Sequence, residues 1–281
     1  MTHAKPRRSA LYMPAANARA IEKARELPCD VVILDLEDAV APDAKPAARE
    51  QAAAAVRAGG FGPREVVIRV NGLDTPWGRD DLAAAAAAAP DAVLAPKVSC
   101  ADDIAAYRAV LGRNAVLWIM IETCGALFRL DELGAGASAW VIGTNDLAKE
   151  MRCRLDAERA PLLAPLSLAV AAARAHGLSV LDGVFNGIDD EAGLERQCAQ
   201  GAAFGFDGKT LIHPRQIEAA NRAFTPAADE VAWARTIVQA FGEPENAAKG
   251  VLRVEGRMVE RLHLDEARRL IAVADAIAGR G

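Results

Sequence analysis

Charged and amide side chains close the apolar runs of this chain with a regularity that solvent exposure alone does not demand. Asp35, Glu37 and Asp38 end VVILDLED, Arg69 and Asn71 end EVVIRVN, Lys97 ends AVLAPKV, Glu122 ends AVLWIMIE, and Asn145 and Asp146 end AWVIGTND. Asp182 lies in LSVLDGVF, and Asp207 and Lys209 lie in FGFDGKT. Ionisable groups at the rim of an apolar core are costly unless they pair or hold a cation. Glu122 and Asp146 close consecutive runs, so their carboxylates can share one hard divalent cation. Water and substrate would complete an oxygen-only Mg2+ shell. Ion pairing with Arg69, Lys97 or Arg129 is the alternative. No H-x-H or H-E-x-x-H spacing offers zinc a site. Arg69 interrupts VVIRVN, and its planar guanidinium fits a substrate carboxylate in two-point contact. A structural pair with Glu37 or Asp38 is equally compatible with that position. His213, before Pro214, reads as structural, and Cys124, with no adjacent histidine, reads as packing.

Such residues need a scaffold that gathers strand ends. The near-continuous apolar runs predict buried parallel strands at 9–14, 31–37, 65–71, 92–98, 115–122, 139–146, 178–185 and 204–210. Helices are predicted at 17–28, 43–58, 79–89, 101–112, 125–135, 165–176, 189–200 and 214–223. Asp43 and the Ser99–Asp102 spacing are start signals, and Gly59, Gly112 and Gly177 are stop signals. This alternation predicts a (β/α)8 TIM barrel over residues 1–225, with the site at the C-terminal ends of its strands. A doubly wound open sheet is the alternative, because periodicity does not prove closure. Residues 226–281 read as a C-terminal helical extension: a helix at 227–241, a polar stretch at 242–250, a strand-like piece and a terminal helix. The extension is expected to pack on a neighbouring subunit, with its own barrel as the other candidate.

Composition narrows the function. A formal charge of −5 argues against nucleic acid as a partner, since that footprint is strongly basic. Five scattered cysteines without a C-x-x-C fit reduced thiols in a cytoplasmic protein. No apolar run approaches the roughly 20 residues of a membrane span, and the basic N-terminus lacks the apolar stretch of a secretory signal.

The stretches RSALYMPAANARAIEKA, LDLEDAVAPDAK, IRVNGLDTPWG, APKV, IETCGAL, GTNDLAKE, LDGVFN, GFDGKTLIHPRQI and VEGRMVERLH resemble the citrate lyase β-subunit-like branch of the HpcH/HpaI aldolases, from about residue 8 to the C-terminus. GTNDLAKE and GFDGKTLIHP are most similar to the malyl-CoA and β-methylmalyl-CoA lyases of that branch. The resemblance implies a barrel with Mg2+, or Mn2+ in its place, held by Glu122 and Asp146. It implies Arg69 against substrate, Glu37 and Asp38 beside that arginine and metal-bound water, and homotrimers or hexamers whose C-terminal segment covers a neighbour's site. The implied activity is reversible Claisen-type C–C cleavage of a small hydroxyacyl-CoA to an acyl-CoA and a 2-oxo acid. Arg69 would steady negative charge, Glu260 would protonate the enolate carbon, and Glu122 with Gly143, Thr144 and Asn145 would bind substrate. Lys97 and Arg8 are candidates for the coenzyme A phosphates. Alternatives are a malyl-CoA-type thioesterase on the same scaffold, a citrate lyase β-type subunit acting on an acyl-carrier protein, and a ligand-binding paralogue without catalysis. Two departures stand out. Pro14-Ala15 replaces the family's Pro-Gly, and Glu260 replaces an aspartate in the tail.

Overall fold

Strands β1 (Ser9–Pro14), β2 (Val31–Asp35), β3 (Glu65–Arg69), β4 (Ala92–Ala95), β5 (Leu117–Ile121), β6 (Ala139–Ile142), β7 (Ser179–Asp182) and β8 (Gly208–Leu211) pair in parallel, each with its successor. β8 then returns to β1, with Leu11 opposite Leu211, which closes the barrel and excludes the open sheet. The computed structural model describes residues 5–246 and 248–279. The chain divides into a barrel unit, Arg7–Phe224, and a second unit that begins at Thr225.

Helices follow the strands because a parallel pair needs a long crossover. They are α1 (Ala18–Ala24), α2 (Lys45–Ala58), α3 (Gly78–Ala88), α4 (Ala101–Leu111), α5 (Cys124–Leu127), α6 (Leu130–Gly134), α7 (Thr144–Met151), α8 (Leu163–Ala175), α9 (Glu191–Phe204) and α10 (Ile217–Ala223). Strand residues alternate between two cores. Leu11, Val32, Leu34, Ile68, Ile119 and Val180 pack outward under the helices, whereas Ala10, Ile33, Val67, Leu94, Trp118 and Leu181 fill the interior. Among the described residues no helix is long and apolar enough to cross a membrane.

Several boundaries differ from the sequence reading. GTND does not extend the sixth strand. The strand stops at Ile142, Gly143 caps α7, and Asn145 and Asp146 lie in that helix's first turn. The segment 125–135 breaks into two short helices around Phe128 and Arg129. Gly205, at φ 91°, ends α9, so β8 begins only at Gly208. Asp207 therefore precedes its strand and lies at the barrel end opposite the expected site. There it takes two 2.9 Å bonds from Arg174 and one of 2.8 Å from the Val180 N–H. Asp103, not Ser99, caps α4, accepting from the Ser99 and Cys100 N–H groups at 2.8 and 3.1 Å. Asp43 lies inside a 3-10 turn before α2. The Pro14-Ala15 turn needs no glycine: Ala15 is not among the residues with a left-handed backbone, and its N–H bonds the Asp35 carbonyl at 3.0 Å.

The second unit holds α11 (Ala228–Gly242), the antiparallel hairpin β9 (Val251–Val254) and β10 (Arg257–Glu260), and α12 (Arg261–Ala278). The single strand-like piece is thus a hairpin. Glu255 and Gly256, at φ 47° and 83°, make its two-residue turn, in the backbone region that matches strand twist. Ile237, Phe241, Leu252, Val254, Val259 and Leu264 form this unit's own apolar cluster.

Candidate active site

At the C-terminal end of the barrel the inward-facing residues change from apolar to charged. Asp35 and Arg69 are direct register partners on β2 and β3. Both point inward, so the guanidinium meets the carboxylate in a two-point contact with both bonds at 2.6 Å. Glu37 Oε2 stands 2.9 Å and Asp38 Oδ2 3.4 Å from Arg69 Nη1, and the guanidinium lies 4.7 Å from the Tyr12 ring centre. The Glu37 contact is an ion pair without hydrogen-bond alignment, which leaves Oε2 with no donor. Burial disfavours the charged guanidinium, but the charge and bonds of Asp35 and the charge of Glu37 override it and hold Arg69 protonated. The expected pairing with Glu37 and Asp38 is real but secondary. Asp35 is the main partner, and it is itself fixed by the Glu37 and Ala39 N–H groups at 2.9 and 3.1 Å.

A second acidic group lies across the mouth. Lys97, at φ 54°, adopts a left-handed backbone that non-glycine residues rarely take. Its N–H donates to Glu122 Oε1 at 2.7 Å while its Nζ donates to Glu37 Oε1 at 2.6 Å. Lys97 is therefore a tie between two carboxylates. Glu122 is almost fully buried, and its other oxygen lies against Gly143, where a Cβ would overlap it. Burial, with the charges of Glu37 and Asp146 adding to it, pushes the Glu122 carboxyl up to about 7, against the Lys97 hydrogen bond. Burial likewise raises Glu37, offset in part by Arg69 and Lys97.

This donor set fits a divalent cation. Asp35, Glu37, Asp38, Glu122 and Asp146 crowd one rim, while Arg69 and Lys97 are committed to Asp35 and Glu37. Neither cation forms an ion pair with Glu122 or Asp146, so the negative charge there is offset only in part, by the Lys97 N–H and the more distant charge of Arg69. Among the described residues no three His, Cys, Asp or Glu side chains converge as a ready-made metal cage. An ion held by Glu122 and Asp146 would take its remaining ligands from water and substrate, as Mg2+ commonly does.

A cleft of about 250 Å³ opens between these groups, walled by Tyr12, Arg69, Asp38, Asp146 and Asn186, with Val184 and Ile212 as apolar lining. Gly143, Thr144 and Asn145 also line it, at the N-terminus of α7, whose first N–H groups have no acceptor inside the helix. Asn145 and Asn186 exchange amide hydrogen bonds of 2.8 and 3.3 Å.

Other sequence candidates fall elsewhere. Arg8 precedes β1 and pairs with Asp30, which precedes β2, at the opposite end of the barrel, so it does not meet a ligand at this mouth. Lys209 and Arg159 both pair with Asp182, at 2.8 and 2.7 Å, and all three are buried behind the strands. His213 Nδ1 accepts from the Arg215 N–H, a capping role. Glu260 ends β10 in the second unit, its N–H bonded to His263 Nδ1 at 2.9 Å. Sequence reasoning passed over Tyr12 and Asn186 and gave Asp35 no role of its own. Asp35 and Arg69 hold the same place in the predicted strands 31–37 and 65–71, but that they face each other follows only from the register of β2 and β3. Asn186 lies beyond a strand end and carried no signal.

Residues 8–214 match the family model described as HpcH/HpaI aldolase/citrate lyase. A (3S)-malyl-CoA thioesterase of Cereibacter sphaeroides is 46% identical over 284 residues, covering 100% of this chain and 99% of its own length. An L-malyl-CoA/beta-methylmalyl-CoA lyase of the same organism is 31% identical over 307 residues, covering 98% of this chain and 96% of its own. A crystal structure of the Mycobacterium tuberculosis protein CitE in complex with magnesium, acetoacetate and coenzyme A is 30% identical with a TM-score of 0.78, covering 98% of this chain and 100% of that one.

Proposed function

This chain belongs to the HpcH/HpaI aldolase/citrate lyase family, and from that membership we propose that it hydrolyses a small hydroxyacyl-CoA thioester of the malyl-CoA type with Mg2+ as cofactor. The sequence reading put carbon–carbon cleavage first and hydrolysis second. We reverse that order on one observation: end-to-end identity is 46% to the thioesterase and 31% to the lyase.

The site supports this chemistry. Glu122 and Asp146 would hold the Mg2+, which when bound polarises substrate oxygens as a Lewis acid. Gly143, Thr144 and Asn145 offer the helix N-terminus of α7 to the acid's carboxylate. Arg69, locked by Asp35, presents a positive charge that does not have to reorganise during reaction. Asp38 lines the cleft with an exposed carboxylate, whereas Asp35 and Glu37 are buried. Asp38 is therefore placed to take the proton from the attacking water. The water oxygen bonds to the thioester carbon, the C–S bond breaks, and the proton passes to the departing sulfur. The products are the free hydroxy acid and coenzyme A thiol. No carbon has to be protonated in this route. A tail carboxylate shaped for that task is then not required, which accords with Glu260 in place of the family's aspartate. Glu260 would lie over a neighbour's mouth in a homotrimer or hexamer.

Incubation with malyl-CoA and Mg2+ tests the reading. The expected products are thiol and free malate at equal rates. Glyoxylate and acetyl-CoA formed at the rate of substrate loss would return the assignment to a C–C lyase.

A further inference from the structure

Tyr12 is a residue to which neither the sequence nor the family match gives a role, and its surroundings give it one. On β1, Leu11 and Met13 pack outward while Ala10 and Tyr12 face the barrel interior. Tyr12 is 9% exposed, its hydroxyl oxygen is buried, and that oxygen has no hydrogen-bond partner. A buried hydroxyl without a partner is destabilising, and its retention asks for a ligand. The ring is held by Arg69, 4.7 Å from its centre, and Arg69 is held in turn by Asp35. The ring, and with it the hydroxyl oxygen, is thus held in place before anything binds.

We propose that Tyr12 is an oxyanion donor whose O–H hydrogen-bonds to the carbonyl oxygen of the bound thioester. The inference rests on the hydrolase reading above. The ring of strands places β1 opposite β5. Tyr12 and Asp146 line the same cleft, so a short acyl chain anchored by its carboxylate at α7 and at the acidic pair would extend through it toward β1. Other polar side chains near β8 and β1 are committed. Thr210 Oγ1 donates to the Asp182 carbonyl at 3.0 Å, and Asn186 is bonded to Asn145. Val184 and Ile212 offer no donor. Burial keeps the phenol protonated well above neutral pH despite the opposing charge of Arg69, so the group donates throughout the working range. As charge grows on the carbonyl oxygen during water attack, a fixed donor there stabilises the transition state more than the ground state.

The test is Tyr12→Phe in the full-length protein, which removes one oxygen and keeps the ring under Arg69. kcat for malyl-CoA hydrolysis should fall about 100-fold, the range found for loss of one oxyanion donor. Mg2+ affinity should stay within about twofold, and the melting temperature of the free protein should hold or rise because the orphan hydroxyl is gone. Two unreactive analogues locate the contact. In one a methylene replaces sulfur and the carbonyl is kept. In the other a methylene replaces the carbonyl. Tyr12→Phe should weaken the first about tenfold and leave the second unchanged. Equal losses for both analogues, no loss for either, or a lowered melting temperature would each overturn the assignment. Wild-type protein that releases no thiol from malyl-CoA, yet shows the expected analogue pattern, would sink the hydrolase reading and leave Tyr12 standing. Binding of neither analogue to wild type would end both.

Discussion

On the β2–β3 side of the barrel mouth, Arg69 is enclosed by Asp35, Glu37 and Asp38, with every charge answered within 3.4 Å. On the β5–β6 side, Glu122 takes one backbone hydrogen bond from Lys97, and Asp146 adds to its negative field rather than relieving it. The first cluster pairs its charges without a ligand, leaving only Glu37 Oε2 without a hydrogen bond. The second carries negative charge that a bound cation would offset. A buried charge that is paired holds a site in shape, whereas a buried charge left unpaired marks where something must bind. Lys97 joins the two halves, through its N–H to one and its Nζ to the other.

The contrast breaks most visibly at Glu122. Glu122→Gln should abolish Mg2+ binding in calorimetry and lower hydrolysis by roughly 10³-fold or more. The same change should leave the metal-free protein as stable or more so, since a buried carboxylate without an ion-pair partner disappears. Arg69→Met should behave in the opposite way. Removing one partner of a buried ion cluster leaves the others stranded, at a cost of about 3–5 kcal/mol in urea unfolding. If Arg69→Met proves neutral to stability, the distinction between a complete and an incomplete half fails.

Acidity sharpens the same comparison. Glu122 is raised from 4.5 in an unfolded chain to about 7 in the folded one. Its contribution to metal-free stability is therefore full below pH 4.5 and lost as pH rises through about 7. Mg2+ binds the ionised form, so its affinity should fall by up to about tenfold per pH unit below 7 and level off above it. The Mg2+-induced shift in melting temperature, followed from pH 5.5 to 8.5, reads this directly, and a flat profile would place the ion elsewhere. The smallest effect is expected at Lys97→Met. It keeps the N–H to Glu122 and loses only the tie to Glu37, so Mg2+ affinity should change by less than about threefold while kcat drops by roughly tenfold.

The eight strands and their alternation with helices were legible because buried parallel strands leave unmistakable apolar runs, whereas closure rests on the β8–β1 pairing, which periodicity does not reveal. Charged residues at the ends of those runs were legible because few forces put charge there. What the sequence obscured were partners set by register and by helix onset. Asp35 and Arg69 stand thirty-four residues apart and become two-point partners only when β2 and β3 align. GTNDLAKE reads as a strand end because Val141 and Ile142 lead into it, yet Gly143 starts a helix and turns Asp146 to the cleft from a first helical turn. Asp207 was read into the eighth strand because FGF reads as strand, whereas a left-handed Gly205 delays β8 to Gly208 and leaves Asp207 ahead of it. Tyr12 was hidden by its type, since a tyrosine in a strand is ordinary until its hydroxyl is found alone.

The left-handed backbone at Lys97 sets a conflict for anyone breeding a hardier version of this protein. Glycine or asparagine at that codon would relax the chain, and a screen for heat resistance would enrich them. Either would sever the tether to Glu37, so survivors of such a screen should be sturdy and slow. Screening for turnover instead should keep the lysine and leave the awkward torsion in place.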